Sequence, residues 1–232
     1  MKRFIIFIIA ALALSFAGQK KASAQFVIGA GYDRVQFTSD GQNDGNAFDG
    51  FSAEFGHTAM FIRNIVGLHF GVGYQFSTRR DDAFGLDSFA ANVSTQEQMF
   101  QVPVRLVIDI PAGKKFGIVL YGGAYGAFSL SGIKTYEFSF GEEGNGNVNY
   151  DYLHNKISSD DIVPEIVVNA INASMDESRF KRYDYGVQAG LGFKLGSSVM
   201  IHGNYSYGLC DRVESGTRVN RNAVSVKISF LL

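Results

Sequence analysis

From Tyr183 to Leu195 the chain alternates without a break between two kinds of residue. Tyr183, Tyr185, Val187, Ala189, Leu191, Phe193 and Leu195 occupy every second position. Asp184, Gly186, Gln188, Gly190, Gly192 and Lys194 lie between them. Successive side chains on a strand point to opposite faces, so one face is wholly apolar and the other polar or bare. A tilted strand needs roughly 9–11 residues to cross a bilayer, whereas strands of soluble domains are usually about 5–6 residues long. This run therefore predicts a strand that faces lipid on one side.

The same period recurs over Val66–Ser77, Phe100–Asp109, Val199–Leu209 and Val224–Leu232, and more weakly over Phe26–Phe37, Phe51–Thr58 and Phe116–Leu130. That makes about eight strands, the smallest even number of outer-membrane barrels. The links between them alternate in length. Thr38–Gly50, Thr78–Gln96 and Ser131–Arg182 are long, Cys210–Arg221 is moderate, and Ala59–Asn64, Ile110–Lys115 and Gly196–Ser198 are short. Long extracellular loops and short periplasmic turns follow this rule. The expected fold is an all-β, eight-stranded antiparallel transmembrane barrel, an up-and-down meander with both termini periplasmic. Tyr74, Phe76, Tyr183, Tyr185, Tyr205 and Tyr207 fall near the extracellular ends of their strands and Phe230 near the other end, as aromatic girdles would.

The N-terminus has the form of an export signal. Lys2 and Arg3 precede an apolar run from Phe4 to Ala17, and Ala22-Ser23-Ala24 supplies small residues for cleavage before Gln25. The apolar run is too short for a spanning helix, and no later stretch reads as one. The expected organisation is a cleaved leader over 1–24 and a barrel domain over 25–232, with a long extracellular loop at about 131–182. Cleavage would remove four basic residues and no acid, taking the formal charge from −1 to −5. That balance offers nucleic acid no electrostatic footprint. Cys210 is the only cysteine, so no internal disulfide and no cysteine-pair zinc site can form. With the last strand at the C-terminus, no periplasmic domain is expected to follow.

Three segments resemble the PorT-like outer-membrane β-barrel domain family. Arg182–Phe193 is similar to its D-[FY]-G…G-x-G strand, Asn204–Leu209 to its Y-S-x-G-L strand, and Arg221–Phe230 to its closing R-N-x-x-S strand. Gln101–Leu106 resembles its proline-containing middle strand. The resemblance implies a small barrel of the Gram-negative outer membrane, and in the namesake a part in protein secretion. Such barrels close on an aromatic residue read by the assembly machinery. Here the chain ends Phe230-Leu231-Leu232, so Phe230 or Leu232 would carry that signal.

If the apolar faces meet lipid, Glu54, His69, Arg105, Gln188, Lys194, His202 and Lys227 point inward, together with Gln75, Gln101, Asp184 and Asn204. Eight strands enclose a space that side chains can just fill. Glu54 is expected to pair with Arg105 or Lys227, because an isolated buried charge is costly. These residues are read as a structural lumen network. No catalytic, cofactor-binding or metal-binding residues are assigned. His202 and Ser206 lie on one face, but nothing in the spacing orients a base toward a nucleophile. Asp40–Gly45 has calcium-loop residues without the required terminal Glu, and reads as a polar turn.

The 131–182 connection is long enough to suggest function. Within it Asp160 or Asp161 is a candidate N-cap near Pro164, and Ile162, Ile166, Val167 and Ile171 form an apolar stripe on a short helix. That stripe would either cap the barrel or present a binding surface. The expected partners are outer-membrane lipids including lipopolysaccharide, the barrel assembly machinery, and a protein partner at the extracellular loops. Arg79 and Arg80 could touch lipid phosphates, though Asp81 and Asp82 adjoin them. The expected function is a non-enzymatic surface or envelope-integrity protein. A secretion accessory is the alternative, and an outer-leaflet lipid hydrolase ranks behind both.

Overall fold

A computed structural model of the chain describes residues 23–39, 42–62, 65–86, 89–113, 115–139, 144–174, 180–214 and 218–232. Its elements are β1 (Ser23–Ser39), β2 (Gln42–Ile62), β3 (Val66–Leu86), β4 (Phe89–Pro111), β5 (Phe116–Ser139), β6 (Asn145–Asp151) and β7 (Lys156–Ser159). Helix α1 (Glu165–Ser174) follows, then β8 (Tyr183–Leu195), β9 (Val199–Gly208) and β10 (Val219–Leu231). Residues 1–22, which hold most of the expected leader, and Asp40 and Gly41 of the polar turn lie outside the described residues.

Eight strands close into a ring. Each of β1 to β5 pairs antiparallel with the next, β5 pairs with β8, and β8, β9 and β10 lead back to β1. Reciprocal bonds join the chain ends, Phe26 N–H to Leu232 O (3.0 Å) and Leu232 N–H to Phe26 O (2.9 Å). Closure satisfies every edge, which a sheet in lipid must do. The alternation read from sequence is the in–out pattern of the wall. Even positions of β9 and odd positions of β8 and β10 separate cleanly into the faces expected. The core is inverted: Phe55, Val104, Leu191, Ile201 and Ile228 are exposed on the outside, and charges are buried within. Tyr32, Phe51, Phe100 and Phe128 join Tyr183, Tyr185, Tyr205 and Tyr207 on the outer surface.

Pro103 faces the lumen of β4 and is fully buried. It has no N–H to give, and the β3–β4 ladder passes from Phe70↔Val104 to Gly73↔Gln101 around it. The tight turn at Gly196-Ser197-Ser198 uses the left-handed conformation of Gly196, φ 67°.

The long links differ from expectation. Thr38–Gly50 and Thr78–Gln96 are extended hairpins, with Ser39 paired to Gln42 and Leu86 to Phe89. The Ser131–Arg182 connection is not an irregular loop either. Strand β5 continues to Ser139, still paired with β4, and β6 and β7 add to its other side. The result is a sheet standing above the ring as a tower. Beyond the bilayer both faces can meet water, so the period-two signature fades while the ladder persists. An extra residue of β5 opposite Gln98 and Met99 also shifts the alternation, so that Ser129 and Gly132 both face inward.

Helix α1 packs on this tower. Val163, 6 % exposed, joins Phe138 and Val148 in a small core against which Val167, Val168 and Ile171 rest. Two of the expected stripe residues point elsewhere: Ile162 is exposed and Ile166 is 78 % exposed. Amides of Val167 and Val168 bond the Pro164 carbonyl, so the helix begins at Pro164, after Asp160 and Asp161. Asp160 instead accepts from the Asn147 amide (2.8 Å) and ties the helix approach to β6.

Candidate functional site

The lumen holds two charge clusters. The first surrounds Glu54 on β2. Arg105 of β4 donates to both carboxylate oxygens at 2.6 and 2.9 Å, and Lys227 of β10 donates to Oε2 at 3.3 Å. Nε2 of His69 donates to Oε1 at 3.0 Å, while its Nδ1 lies 2.9 Å from Thr58 Oγ1. A fork of two parallel bonds is the strong form of this pair. The Arg105 guanidinium also lies 5.2 Å from the centre of the Tyr121 ring. Tyr121 donates to Gly203 O (3.1 Å), and its oxygen is 2.7 Å from Nδ1 of His202, whose Nε2 is 2.9 Å from Ser229 Oγ.

Glycines on neighbouring strands create the room. A Cβ on Gly56 would come within 2.5 Å of the His69 ring, and one on Gly123 within 2.8 Å of the Arg105 Cα. The space left among Glu54, Arg105, His202, Ser229, Met60 and Leu231 is a cavity of ≈ 50 Å³, enough for a few water molecules. Lys194 reaches Asp109 at 2.6 Å on the periplasmic side.

The second cluster closes the extracellular end. Arg212 does not belong to a strand; the connection after β9 folds inward and buries its side chain completely, 0 % exposed. Its Nη2 donates to Glu97 Oε1 (2.5 Å) and to Ser129 Oγ (3.0 Å). Arg221 approaches the other Glu97 oxygen at 3.6 Å and bonds Gln75. Burial opposes the charge on Arg212, but the Glu97 carboxylate outweighs it and holds the guanidinium's pKa above its ordinary value. The inserted connection is anchored by Lys181 N–H to Arg212 O (2.7 Å), Arg212 N–H to Val219 O (2.8 Å), and a bridge between Phe180 and Val213. Asp211 braces it: although burial works the other way, the amides of Val219 and Val213 hold its carboxyl below the usual range. Burial pushes the neighbouring Cys210 thiol up.

The buried charges in and at the ends of the lumen balance: Asp33, Glu54, Glu97 and Asp184 against Arg105, Arg212, Arg221 and Lys227. Between the clusters runs a polar belt. Gln188 donates to Ala124 O (3.1 Å), Asn204 to Ser206 Oγ (2.9 Å), and Tyr125 to Asp184 (3.1 Å). Asp33 Oδ2, Gln188 Oε1 and Asn204 Oδ1 have no protein partner among the described residues, the setting in which buried waters are ordinarily found.

Of the lumen residues expected from sequence, the structure gathers Glu54, His69, Arg105 and Lys227 around one carboxylate. His202 lies across Tyr121 from Arg105, and Gln188 and Lys194 make separate contacts. Ser206 bonds Asn204, and the hydroxyls beside His202 are those of Tyr121 and Ser229. Phe230 and Leu232 point outward at the periplasmic end, Leu232 at 70 % exposed. Sequence reading missed Glu97 and Arg212 because both fall where the alternation has lapsed, beside or within a presumed loop. It also left Tyr121 and Tyr125 unassigned. The available signal was their odd-numbered spacing with Val119 and Gly123, which places them inward.

Comparison with known proteins bears on the ring as a whole. The chain is similar to solved structures of the Yersinia pestis attachment invasion locus protein in complex with the heparin analogue sucrose octasulfate (13 % identity, TM-score 0.43, covering 90 % of this chain and 99 % of that one) and of Neisserial surface protein A (13 %, 0.40, 90 % and 98 %). It is also similar to the Pseudomonas aeruginosa outer membrane protein OprG (11 %, 0.30, 90 % and 96 %). No curated protein matches the sequence. The model of the outer membrane protein beta-barrel domain matches residues 7–230. The chain closes an antiparallel ring with an apolar exterior, and it belongs to that family as a β-barrel of the Gram-negative outer membrane.

Proposed function

We propose that this barrel is a non-enzymatic surface protein that engages a protein partner through its extracellular tower. The observation that carries this reading is the tower itself. Strands β3, β4 and β5 run 21, 23 and 24 residues, about twice what a bilayer crossing requires. Strand β5 encloses a separate apolar core with β6, β7 and α1. A prefolded platform loses little entropy on binding, and it presents Ile166 at its surface. A passive pore is disfavoured by the filled lumen and by Arg212 in its extracellular mouth. A hydrolase is disfavoured because the imidazole–hydroxyl contacts of His69 and His202 are buried inside the wall, away from lipid.

The test replaces residues 144–174 with a short turn and compares native membranes of the two strains after surface crosslinking. The expected result is a barrel that still migrates as a folded, heat-modifiable species but no longer captures the partner seen with the full chain. An unchanged crosslinking profile removes the proposal, and failure of the barrel to fold makes the tower a structural cap. The resemblance of Arg182–Phe193 to PorT-like strands supports a second reading, a secretion accessory. In that case stoichiometric partners would co-purify and survive tower replacement.

A further inference from the structure

The outer surface carries a groove that neither the lumen nor the tower explains. It lies where β1, β9 and β10 meet near the extracellular rim, with a volume of ≈ 320 Å³, and is lined by the apolar and aromatic Tyr32, Tyr205, Val224 and Val226 and by the polar Arg34, Gln36 and Asn222. Register sets these residues side by side: Tyr32 opposes Val226, Arg34 opposes Val224, and Gln36 opposes Asn222. Both outward faces change character toward the rim: β1 from Tyr32 to Arg34 and Gln36, and β10 one rung later, from Val226 and Val224 to Asn222.

This is the profile of an outer-leaflet lipid: an apolar lower half at acyl-chain depth, tyrosines at the boundary, and a cation above them. Arg34 is 55 % exposed and only loosely held by Asp49, at 3.9 Å; Asp49 itself accepts a hydrogen bond from Tyr32. A guanidinium so placed is free to fork onto phosphate oxygens. Gln36 adds an amide donor beside it, while Asn222 is turned to Thr38 at 2.9 Å.

We propose that this groove seats one phosphorylated outer-leaflet lipid, its phosphate on Arg34 and Gln36 and an acyl chain between Tyr32 and Tyr205 along Val224 and Val226. The face is continuous with the lipid-facing wall, so the occupant arrives already concentrated and oriented. The inference depends on the membrane placement alone and stands apart from the tower's partner.

The experiment places the full chain in phosphatidylcholine nanodiscs doped with lipid A, extracts it into mild detergent, and counts retained lipid A by native mass spectrometry. Wild type should hold one lipid A per barrel. Arg34→Gln and Tyr205→Ala should each lower the retained fraction at least five-fold, Arg34→Lys less, and Arg80→Gln, on the tower, not at all. Only heat-modifiable preparations are compared, and Gln36→Leu serves as the second headgroup variant if Arg34→Gln does not fold. Equal retention by wild type and the headgroup variant overturns the proposal. So does an equal loss in Arg80→Gln, which would mean diffuse charge attraction. Displacement by inorganic phosphate would likewise overturn it, because a free-anion site needs no acyl groove.

Discussion

Replacing Glu54 with Ala should be among the most damaging single changes in the barrel. The side chain is 6 % exposed and neutralises Arg105 through two bonds and Lys227 through a third. Its removal leaves two buried cations facing each other with His69 and no carboxylate. Breaking a buried pair from one side costs about 3–5 kcal/mol, because the remaining charge is uncompensated. The expected loss is therefore about 4 kcal/mol. Asp109→Ala is the matched control: it removes one charge from Lys194 at 2.6 Å, but both side chains are 19 % exposed, and about 1 kcal/mol or less is expected where solvent screens the pair. The chain has no Trp, so urea unfolding from lipid vesicles should be followed by circular dichroism and by the mobility of unheated samples on gels. The double variant Glu54→Ala/Arg105→Ala should be less damaged than the sum of its singles. If Glu54→Ala costs no more than Asp109→Ala, the lumen is wet enough to solvate its charges, and the account of the cluster fails.

Arg212→Ala should strand Glu97 beside Arg221 and release the inserted connection. Protease cleavage within residues 210–218 and transient conductance in planar bilayers should both rise, while the ring stays folded. Gly186→Ala would drive a Cβ into the Tyr207 carbonyl oxygen and to 2.8 Å from the Tyr125 ring, so about 3 kcal/mol of overpacking, the upper end for such changes, is expected, readable as a lowered urea midpoint. The Asp211 brace should be acid-sensitive. Its carboxyl is held below the ordinary range, so the stabilisation is complete above about pH 4 and lost as pH falls through the lower folded value. Protection factors at Val213 and Val219, taken against the intrinsic exchange rate at each pH, should fall below that point and stay flat between pH 5 and 8.

The lipid-crossing part of the ring was legible because the solvent differs on its two sides. Tyr183–Leu195 and Val224–Leu232 alternate strictly, since one face must be apolar for lipid and the other must leave room for polar groups. The inward set containing Glu54, His69, Arg105 and Lys227 followed from the same parity. A pairing of Glu54 with Arg105 or Lys227 followed from the cost of a lone buried charge, but the convergence of both cations and His69 on the one carboxylate needed the shear of the closed ring, which no single strand encodes. The tower was not legible, because a strand beyond the bilayer can meet water on either face, so Ser131–Ser139 loses the strict period while keeping its ladder to β4. The helix stripe was misjudged by one position: Val163 is buried and Ile162 is not, a choice made by where β6 and β7 place their apolar residues.

Arg212 marks the boundary most clearly. By sequence it is a charged residue in a polar link, and such residues are ordinarily solvated. It is buried because the link after β9 is drawn across the mouth by Lys181 and Val219, where it meets Glu97 of a strand far away in the chain beside Arg221. Local alternation, set by the two solvents, was enough to determine that this protein is a barrel and which way its strands face. That Glu97 meets Arg212, what closes the mouth and where the tower's core lies were decided only in three dimensions, because those contacts join residues that share no period.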